Sequence, residues 1–207
     1  MFITFEGLDF CGKSTQVQLL GNYLSKKEKK VKILREPGGT PISEKIREIL
    51  LSKENTEISI ETELILFAAS RSQLVNQVII PALNDNYYVI SDRFHDSSIA
   101  YQAFGRKIAL AFVEKLQRFV IGKAIPDITI FLDIPIKEVM CRKSLVKKTD
   151  LDRIESLKTD FYERVQEGYL YLAEKEKRIK KIDGTLTITE IHKKIVDEII
   201  KFEMGKD

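Results

Sequence analysis

The sequence predicts an α/β fold: a five-stranded parallel sheet with helices on both faces, in one domain covering residues 1–207. Three observations predict it. Short β-type runs alternate with longer stretches of helical periodicity. No internal repeat and no long Gly/Ser/Pro linker divides the chain. With 207 residues and 43% hydrophobic composition, the chain is long enough to bury one substantial core.

The strands read as Phe2 to Glu6, Val31 to Arg35, Tyr87 to Ser91, Asp127 to Asp133 and Arg178 to Asp183. Between them, helical spacing of apolar residues marks Lys13 to Glu28, Pro41 to Ser52, Ile60 to Asn84, Lys107 to Gly122, Pro135 to Lys143, Asp152 to Glu176 and Thr187 to Phe202. The lysines of Lys26 to Lys30 fall at a helix end, where cations suit the dipole, and read as a solvated face. Open sheets of this kind bind ligands beyond the carboxyl ends of their strands, so the residues that follow each strand are the candidates for function.

Composition excludes several classes. The 34 basic and 31 acidic side chains leave +3, too little for a protein that coats a nucleic acid. Cys11 and Cys141 lie far apart in unlike surroundings and suggest neither a disulfide framework nor a zinc site, which favours a reducing cytoplasm. No apolar run approaches the roughly 20 residues that cross a bilayer, so neither export nor a membrane partner is expected.

Directly after the first strand stands Gly7-Leu8-Asp9-Phe10-Cys11-Gly12-Lys13-Ser14-Thr15, a G-x-x-x-x-G-K-[ST] loop between a strand and a helix. Its glycines let backbone N–H groups close around phosphate oxygens, and the helix N-terminus adds positive potential. Lys13 is placed to reach the β and γ phosphates, and Ser14 to ligate Mg²⁺. The expected architecture is therefore the three-layer P-loop NTPase type, with a nucleotide in the loop. The loop alone does not fix the acceptor, because GTPases, ATPases and small-molecule kinases share it.

Three further segments bear on the acceptor: Arg35-Glu36-Pro37-Gly38-Gly39-Thr40 after the second strand, Leu66-Phe67-Ala68-Ala69-Ser70-Arg71 within a helix, and Asp92-Arg93-Phe94-His95-Asp96-Ser97-Ser98-Ile99-Ala100-Tyr101-Gln102 after the third strand. Phe67 and Arg71, four residues apart, share one helical face and offer a planar ring with a guanidinium fork. Asp92 and Arg93 put a carboxylate and a fixed positive charge at the sheet edge where ligands collect.

With Phe5-Glu6-Gly7 and the loop that follows, these segments, and then Asp152-Arg153-Ile154-Glu155 and Gly168-Tyr169-Leu170-Tyr171-Leu172-Ala173, the chain resembles the thymidylate kinases over nearly its whole length. The resemblance implies phosphoryl transfer from Mg·ATP to dTMP, giving dTDP and ADP for dTTP synthesis. It assigns Phe67 to stacking on thymine, worth roughly 1–3 kcal/mol for a base on an aromatic ring, and Arg71 and Ser98 to the base edge. Tyr101 would pack against the sugar and disfavour a ribose 2′-hydroxyl, with Gln102 beside it. Glu36 and Pro37 would line the acceptor phosphate pocket. Arg93 would clamp the acceptor phosphate and the transferring group, Asp9 would contact the sugar 3′-hydroxyl and help to place the metal, and Asp92 would orient Mg²⁺ or its waters. Arg47 reads equally as a pocket residue and as a surface ion-pair partner. His95 invites a general-base role, but phosphoryl transfer relies on positioning and charge neutralisation more than on proton abstraction. His192 reads as surface or core, Gly168 to Ala173 as helix packing, and Ile182-Asp183-Gly184 as the loop lying against adenine. A homodimer is implied as well, with the helix Ile60 to Asn84 as its interface.

The resemblance also places a mobile lid at about residues 142–155, where Arg142-Lys143 and Lys147-Lys148 precede Arg153, the first candidate for the lid cation that neutralises the migrating phosphoryl group. Here the chain departs from the family pattern. Phe10 stands where arginine or glycine is usual, and lysines stand where lid arginines are expected, charge without the bidentate fork. Phe10 either alters the loop's approach to substrate or acts as a hydrophobic latch, and the cation that replaces the usual arginine is open. The rival readings are a kinase for another nucleotide or a deoxynucleoside, a P-loop switch protein, for which no guanine-reading N-K-x-D element is present, and a paralogue that binds but catalyses poorly.

Overall fold

The structure is a computed structural model that describes residues 1–147 and 149–205. Its sheet has five parallel strands in the order β2-β3-β1-β4-β5, formed by β1 (Phe2–Glu6), β2 (Val31–Arg35), β3 (Tyr88–Asp92), β4 (Ile128–Asp133) and β5 (Ile179–Asp183). The strands follow the sequence expectation to within one residue at each start or end. Burial explains the order. The runs FITFE and ITIFLD are buried on both faces and sit centrally, whereas VKILR and IKKID carry exposed lysines and form the edges.

β1 lies between β3 and β4, with Phe5 beside Asp92 on one side and Ile130 on the other. The crossovers on either side of β1 run in opposite directions across the sheet, which makes its carboxyl end the switch point where a crevice opens.

The helices are α1 (Lys13–Lys26), α2 (Pro41–Leu51), α3 (Ile60–Leu74), α4 (Ile80–Asn84), α5 (His95–Ser98), α6 (Leu110–Ile121), α7 (Ile136–Ser144), α8 (Thr159–Lys175) and α9 (Ile188–Met204). A capping box between Thr187 and Glu190 fixes the start of α9. Ile3, Phe5, Ile130 and Leu132 form the main core with residues of α1, α8 and α9, and a smaller cluster gathers Phe2, Leu74, Val75, Val89 and Phe94.

Three segments differ from the periodicity. The helix expected over Ile60 to Asn84 is continuous but widens into a π-helical turn at Val75–Ile79, just before Pro81, which has no N–H to donate to the preceding turn. A helix over Asp152 to Glu176 begins only at Thr159, because residues 153–156 form turns capped by the Asp152 carboxylate, which accepts from the N–H groups of Ile154 and Glu155. Residues after β3, for which the periodicity marks no helix, form α5 and a π-helical turn at Ile99–Gly105, packed against α8 where Gly168 lets the backbones meet; a Cβ there would lie 2.8 Å from the Ala100 Cα.

Candidate active site

Between β1 and α1 the chain wraps through Gly7 to Gly12. Gly7 has a φ of 139°, and a Cβ there would stand 2.6 Å from the Leu132 carbonyl oxygen, so glycine is what allows the loop to approach β4. Gly12 adopts a φ of 96° with nothing within 4 Å of where a Cβ would point. No side chain caps α1 and no acidic residue lies in its first turn, so its leading N–H groups and positive end are available to an anion. Lys13 is buried, and its Nζ donates to the carbonyls of Gly7 at 3.2 Å and Leu8 at 2.7 Å. Ser14 Oγ donates to Asp92 Oδ2 at 2.6 Å, bringing the two expected metal ligands together. Phe10 holds a φ of 64°, which costs a non-glycine residue roughly 1–2 kcal/mol. Its ring is half-buried against the main core and lines the cleft.

Arg93, at the end of β3, is the hub of the site. Its Nη2 pairs with Asp9 Oδ1 and donates to Tyr101 OH at 3.1 Å. Its Nη1 donates to Gly7 O, Ser97 Oγ and Tyr169 OH at 2.9, 3.2 and 3.1 Å. Tyr101 OH donates to Asp9 Oδ2 at 3.0 Å. Burial works to raise the Asp9 carboxyl, but the charges of Arg93 and Lys13 hold it below the usual carboxylate range, so it is ionised. Tyr162, from α8, adds a hydroxyl 3.4 Å from Asp9.

The opposite wall carries Phe67, Arg71, Glu36, Pro37, Ser98 and Gln102, all lining one cleft of about 560 Å³ with the phosphate loop, Asp92 and Arg93. Arg71 is 1% exposed. Its Nε donates to Glu36 Oε2 at 2.6 Å, and its Nη1 donates to Ser98 Oγ at 2.8 Å and Gln117 Oε1 at 2.6 Å. The guanidinium carbon lies over the Phe94 ring, 5.7 Å from its centroid. Burial raises the Glu36 carboxyl against the lowering charge of Arg71. Gln102 Nε2 donates to Glu63 Oε1 at 3.0 Å. Arg47 also lines the cleft, its Nη1 donating to the Pro37 carbonyl at 2.8 Å.

Residues near the expected lid divide. Arg142 lines the cleft, and its Nη1 donates to the Phe10 carbonyl at 3.1 Å. Arg153, expected as the lid cation, is not brought to the phosphate loop. Its Nε donates to Leu50 O at 2.8 Å, and its Nη2 lies 2.9 Å from Glu63 Oε2, which also binds Arg106 at 2.8 Å. A buried carboxylate is a stronger anchor for a guanidinium than solvent, and Glu63 supplies it. Lys143 donates to Leu157 O over the Tyr162 ring, Lys147 is exposed, and Lys148 lies outside the described residues. Asp152 and Glu155 instead put two carboxylates on the cleft wall, both raised first by burial.

His95 does not line the cleft. It is half-buried, with Nε2 3.2 Å from Arg178 Nη2, and loss of solvent around the ring lowers its pKa to about 4 with the charges of Arg178 and Arg71 adding to the effect against Asp96. His192 packs edge-on to Tyr23 at 6.1 Å. Cys11 is buried and Cys141 exposed, both free. Ile182, Asp183 and Gly184 lie beyond the cleft lining, with Asp183 occupied by the N–H and hydroxyl of Thr185. The stretch from Gly168 to Ala173, read as packing, does more: the Tyr169 ring stacks on Phe131 at 5.2 Å while its hydroxyl reaches Arg93. Sequence reasoning also missed Gln117, Glu63 and Tyr162, whose helical spacing signals burial and nothing about their partners.

A glycine-bounded phosphate loop with a Ser–Asp pair beside it, facing an aromatic and arginine wall of nucleotide size, defines a P-loop phosphotransferase acting on a nucleotide. A family profile described as thymidylate kinase matches residues 5–195. A thymidylate kinase from Kosmotoga olearia is 47% identical over 201 residues, covering 97% of this chain and 95% of that protein. One from Chlorobaculum tepidum is 45% identical over 207 residues, with 96% of each covered. Among solved structures, the thymidylate kinase from Ehrlichia chaffeensis superposes with a TM-score of 0.76 at 33% identity, covering 96% of this chain and 98% of that one. The chain belongs to the thymidylate kinase family, ATP-dependent nucleoside monophosphate kinases that phosphorylate dTMP to dTDP in dTTP synthesis.

Proposed function

We propose that the cleft performs this reaction with the following division of roles. The loop from Gly7 to Thr15 holds the donor phosphates, with Lys13 leaving the Gly7 and Leu8 carbonyls for the β and γ oxygens. Ser14 Oγ and Asp92 fit Mg²⁺: they are hard oxygen donors already 2.6 Å apart at the edge of the loop, and a single carboxylate leaves room for waters and phosphate oxygens. When bound, Mg²⁺ neutralises charge on the donor phosphates.

On the acceptor side, the half-buried Phe67 ring stacks on thymine, and Arg71, fixed by Glu36, Ser98 and Gln117, presents a preset guanidinium to the base edge. Tyr101 and Gln102 take the sugar, and Glu36, Pro37 and Arg47 border the acceptor phosphate. Asp9 accepts from the sugar 3′-hydroxyl. Arg93 contacts the phosphates through Nε, because its Nη groups already meet protein acceptors. The segment 142–155 acts as the lid; Arg142 supplies charge from its position beside Phe10, while Arg153 stays paired with Glu63 and supports the segment.

The observation that carries the proposal is the convergence of the phosphate loop, Arg93 with Asp9, and Arg71 with Phe67 on one cleft. A coupled assay of ADP release with Mg·ATP and dTMP, dUMP, dCMP, UMP or thymidine tests it. Selective turnover with dTMP is expected; turnover confined to another acceptor overturns the base-edge assignment.

The partner is a second copy of the chain. Ile42 and Ile49 on α2, Ile65 on α3 and Phe112 and Phe119 on α6 are exposed apolar side chains, and α3 packs against both α2 and α6, which favours these helices as the interface. Light scattering is expected to give a dimer. The unpaired Cys11 and Cys141 suit a cytoplasmic setting. No helix among the described residues is long and apolar enough to cross a membrane.

A further inference from the structure

We propose that Glu6 is a positioning residue for phosphoryl transfer: its carboxylate draws the hydroxyl protons of Ser97 and Tyr169 to itself, so that both oxygens turn lone pairs to Arg93 and fix the guanidinium in its reactive orientation. This rests on the reading that Arg93 acts on the phosphates. Glu6 ends β1, is 1% exposed and does not line the cleft, so it acts through its neighbours.

The geometry leaves little freedom. Ser97 Oγ donates to Glu6 Oε2 at 2.6 Å and Tyr169 OH to the same oxygen at 2.8 Å. The two hydroxyl oxygens also lie 3.0 Å apart; each has a single proton, which goes to the carboxylate directly or by way of the other hydroxyl, and both oxygens accept from Arg93 Nη1, at 3.2 and 3.1 Å. The other carboxylate oxygen, Oε1, accepts from the backbone N–H groups of Phe94 at 2.7 Å and Ser97 at 3.3 Å, anchoring the turn that carries Ser97 and Ser98. Tyr169 cannot swing away, because its ring is stacked on Phe131.

An amide in place of the carboxylate would present two donors, force at least one hydroxyl proton towards Arg93 and set two donors face to face. A proton on Glu6 has a similar consequence. The charged and titratable groups facing Glu6 are Arg93, Asp96, Tyr169 and Arg178; burial and Asp96 raise its pKa to about 7, against the lowering effect of Arg93 and the two hydroxyl donors.

The test compares kcat and KM for Glu6→Gln, Tyr169→Phe and the double variant, with Arg93→Ala as reference. Glu6→Gln is expected to lower kcat roughly tenfold to a hundredfold, as loss of an outer support does, with KM for dTMP and ATP little changed. The double variant is expected to fall well short of the product of the single effects, because both changes break one relay. As pH falls below about 7, the wild-type rate should converge on that of Glu6→Gln as the native carboxyl takes up its proton. Wild-type kcat in Glu6→Gln, or independent multiplication of the two effects, overturns the proposal. If Glu6→Gln does not fold, an unchanged kcat in Tyr169→Phe, which keeps both backbone anchors, overturns it equally. A neutral Arg93→Ala sinks the underlying reading; a collapsed Arg93→Ala beside unaffected Glu6 and Tyr169 variants sinks this inference alone.

Discussion

Arg93 and Arg153 are ranked together by sequence as catalytic cations, yet they occupy opposite circumstances. Arg93 stands at the switch point of the sheet, held by Asp9, Tyr101, Ser97, Tyr169 and the Gly7 carbonyl within the cleft. Arg153 stands on the segment between α7 and α8, turned away from the phosphate loop and held by Glu63 and the Leu50 carbonyl. One charge is presented to substrate before substrate arrives. The other is spent on a structural carboxylate until something displaces it. Preorganised charge of the first kind stabilises a transition state without reorganisation during the reaction; charge of the second kind must first break an ion pair.

The largest expected difference follows directly. Arg93→Ala should lower kcat/KM roughly a thousandfold or more, in the range of arginines that neutralise a transferring phosphoryl group. Arg153→Ala should lose less than about tenfold and should show a reduced melting temperature, because Glu63 keeps Arg106 but loses one of its two cations. Equal collapse of both variants in steady-state assays would break the comparison and mean that Arg153 sits against the phosphates during turnover.

Arg142 sharpens it. Its side chain joins the expected lid to the loop at the Phe10 carbonyl and is one-third exposed, so Arg142→Ala should cost about tenfold in kcat, between the other two. An effect below twofold in the same assay would remove the only arginine contact between that segment and the phosphate loop among the described residues from the mechanism.

The smallest effect concerns stability around His95. His95 has a folded pKa near 4, below its ordinary 6.5, so it contributes stability that is present above about 6.5 and is lost as pH falls through 4. The contribution is at most roughly 3 kcal/mol by linkage. Glu6 has the opposite sign, since its raised pKa means that the native state gains protons as pH falls from 7. Thermal melts of His95→Asn and wild type between pH 7 and 4 separate the two: the gap between them should narrow with acid, and a gap independent of pH would refute the assignment to His95.

Much of this was legible in the sequence for physical reasons. The phosphate loop is readable because its function needs particular residues at adjacent positions, and Asp92 with Arg93 because strand ends of a parallel sheet converge. Phe67 and Arg71 share a face by helical spacing, and the cleft contains both. What escaped was chosen by distant partners. Gln117 clamps Arg71 from α6, Tyr162 and Tyr169 reach Asp9 and Arg93 from α8, and Glu63 takes Arg153 from α3. Periodicity reports that such residues are buried and is silent about whom they meet. The π-helical turn at Val75–Ile79 escaped because apolar periodicity marks Ile60 to Asn84 as one helix and is silent about the local widening that accommodates Pro81.

Single-turnover transfer from Mg·ATP to dTMP by Arg93→Lys tests the central claim most directly, because lysine keeps the charge and removes the two-sided fork that Asp9, Tyr101, Ser97 and Tyr169 hold. The account predicts a loss of roughly a hundredfold or more in the transfer step with dTMP affinity little changed. A transfer rate near that of the wild type would contradict it, showing that charge alone at the end of β3 suffices.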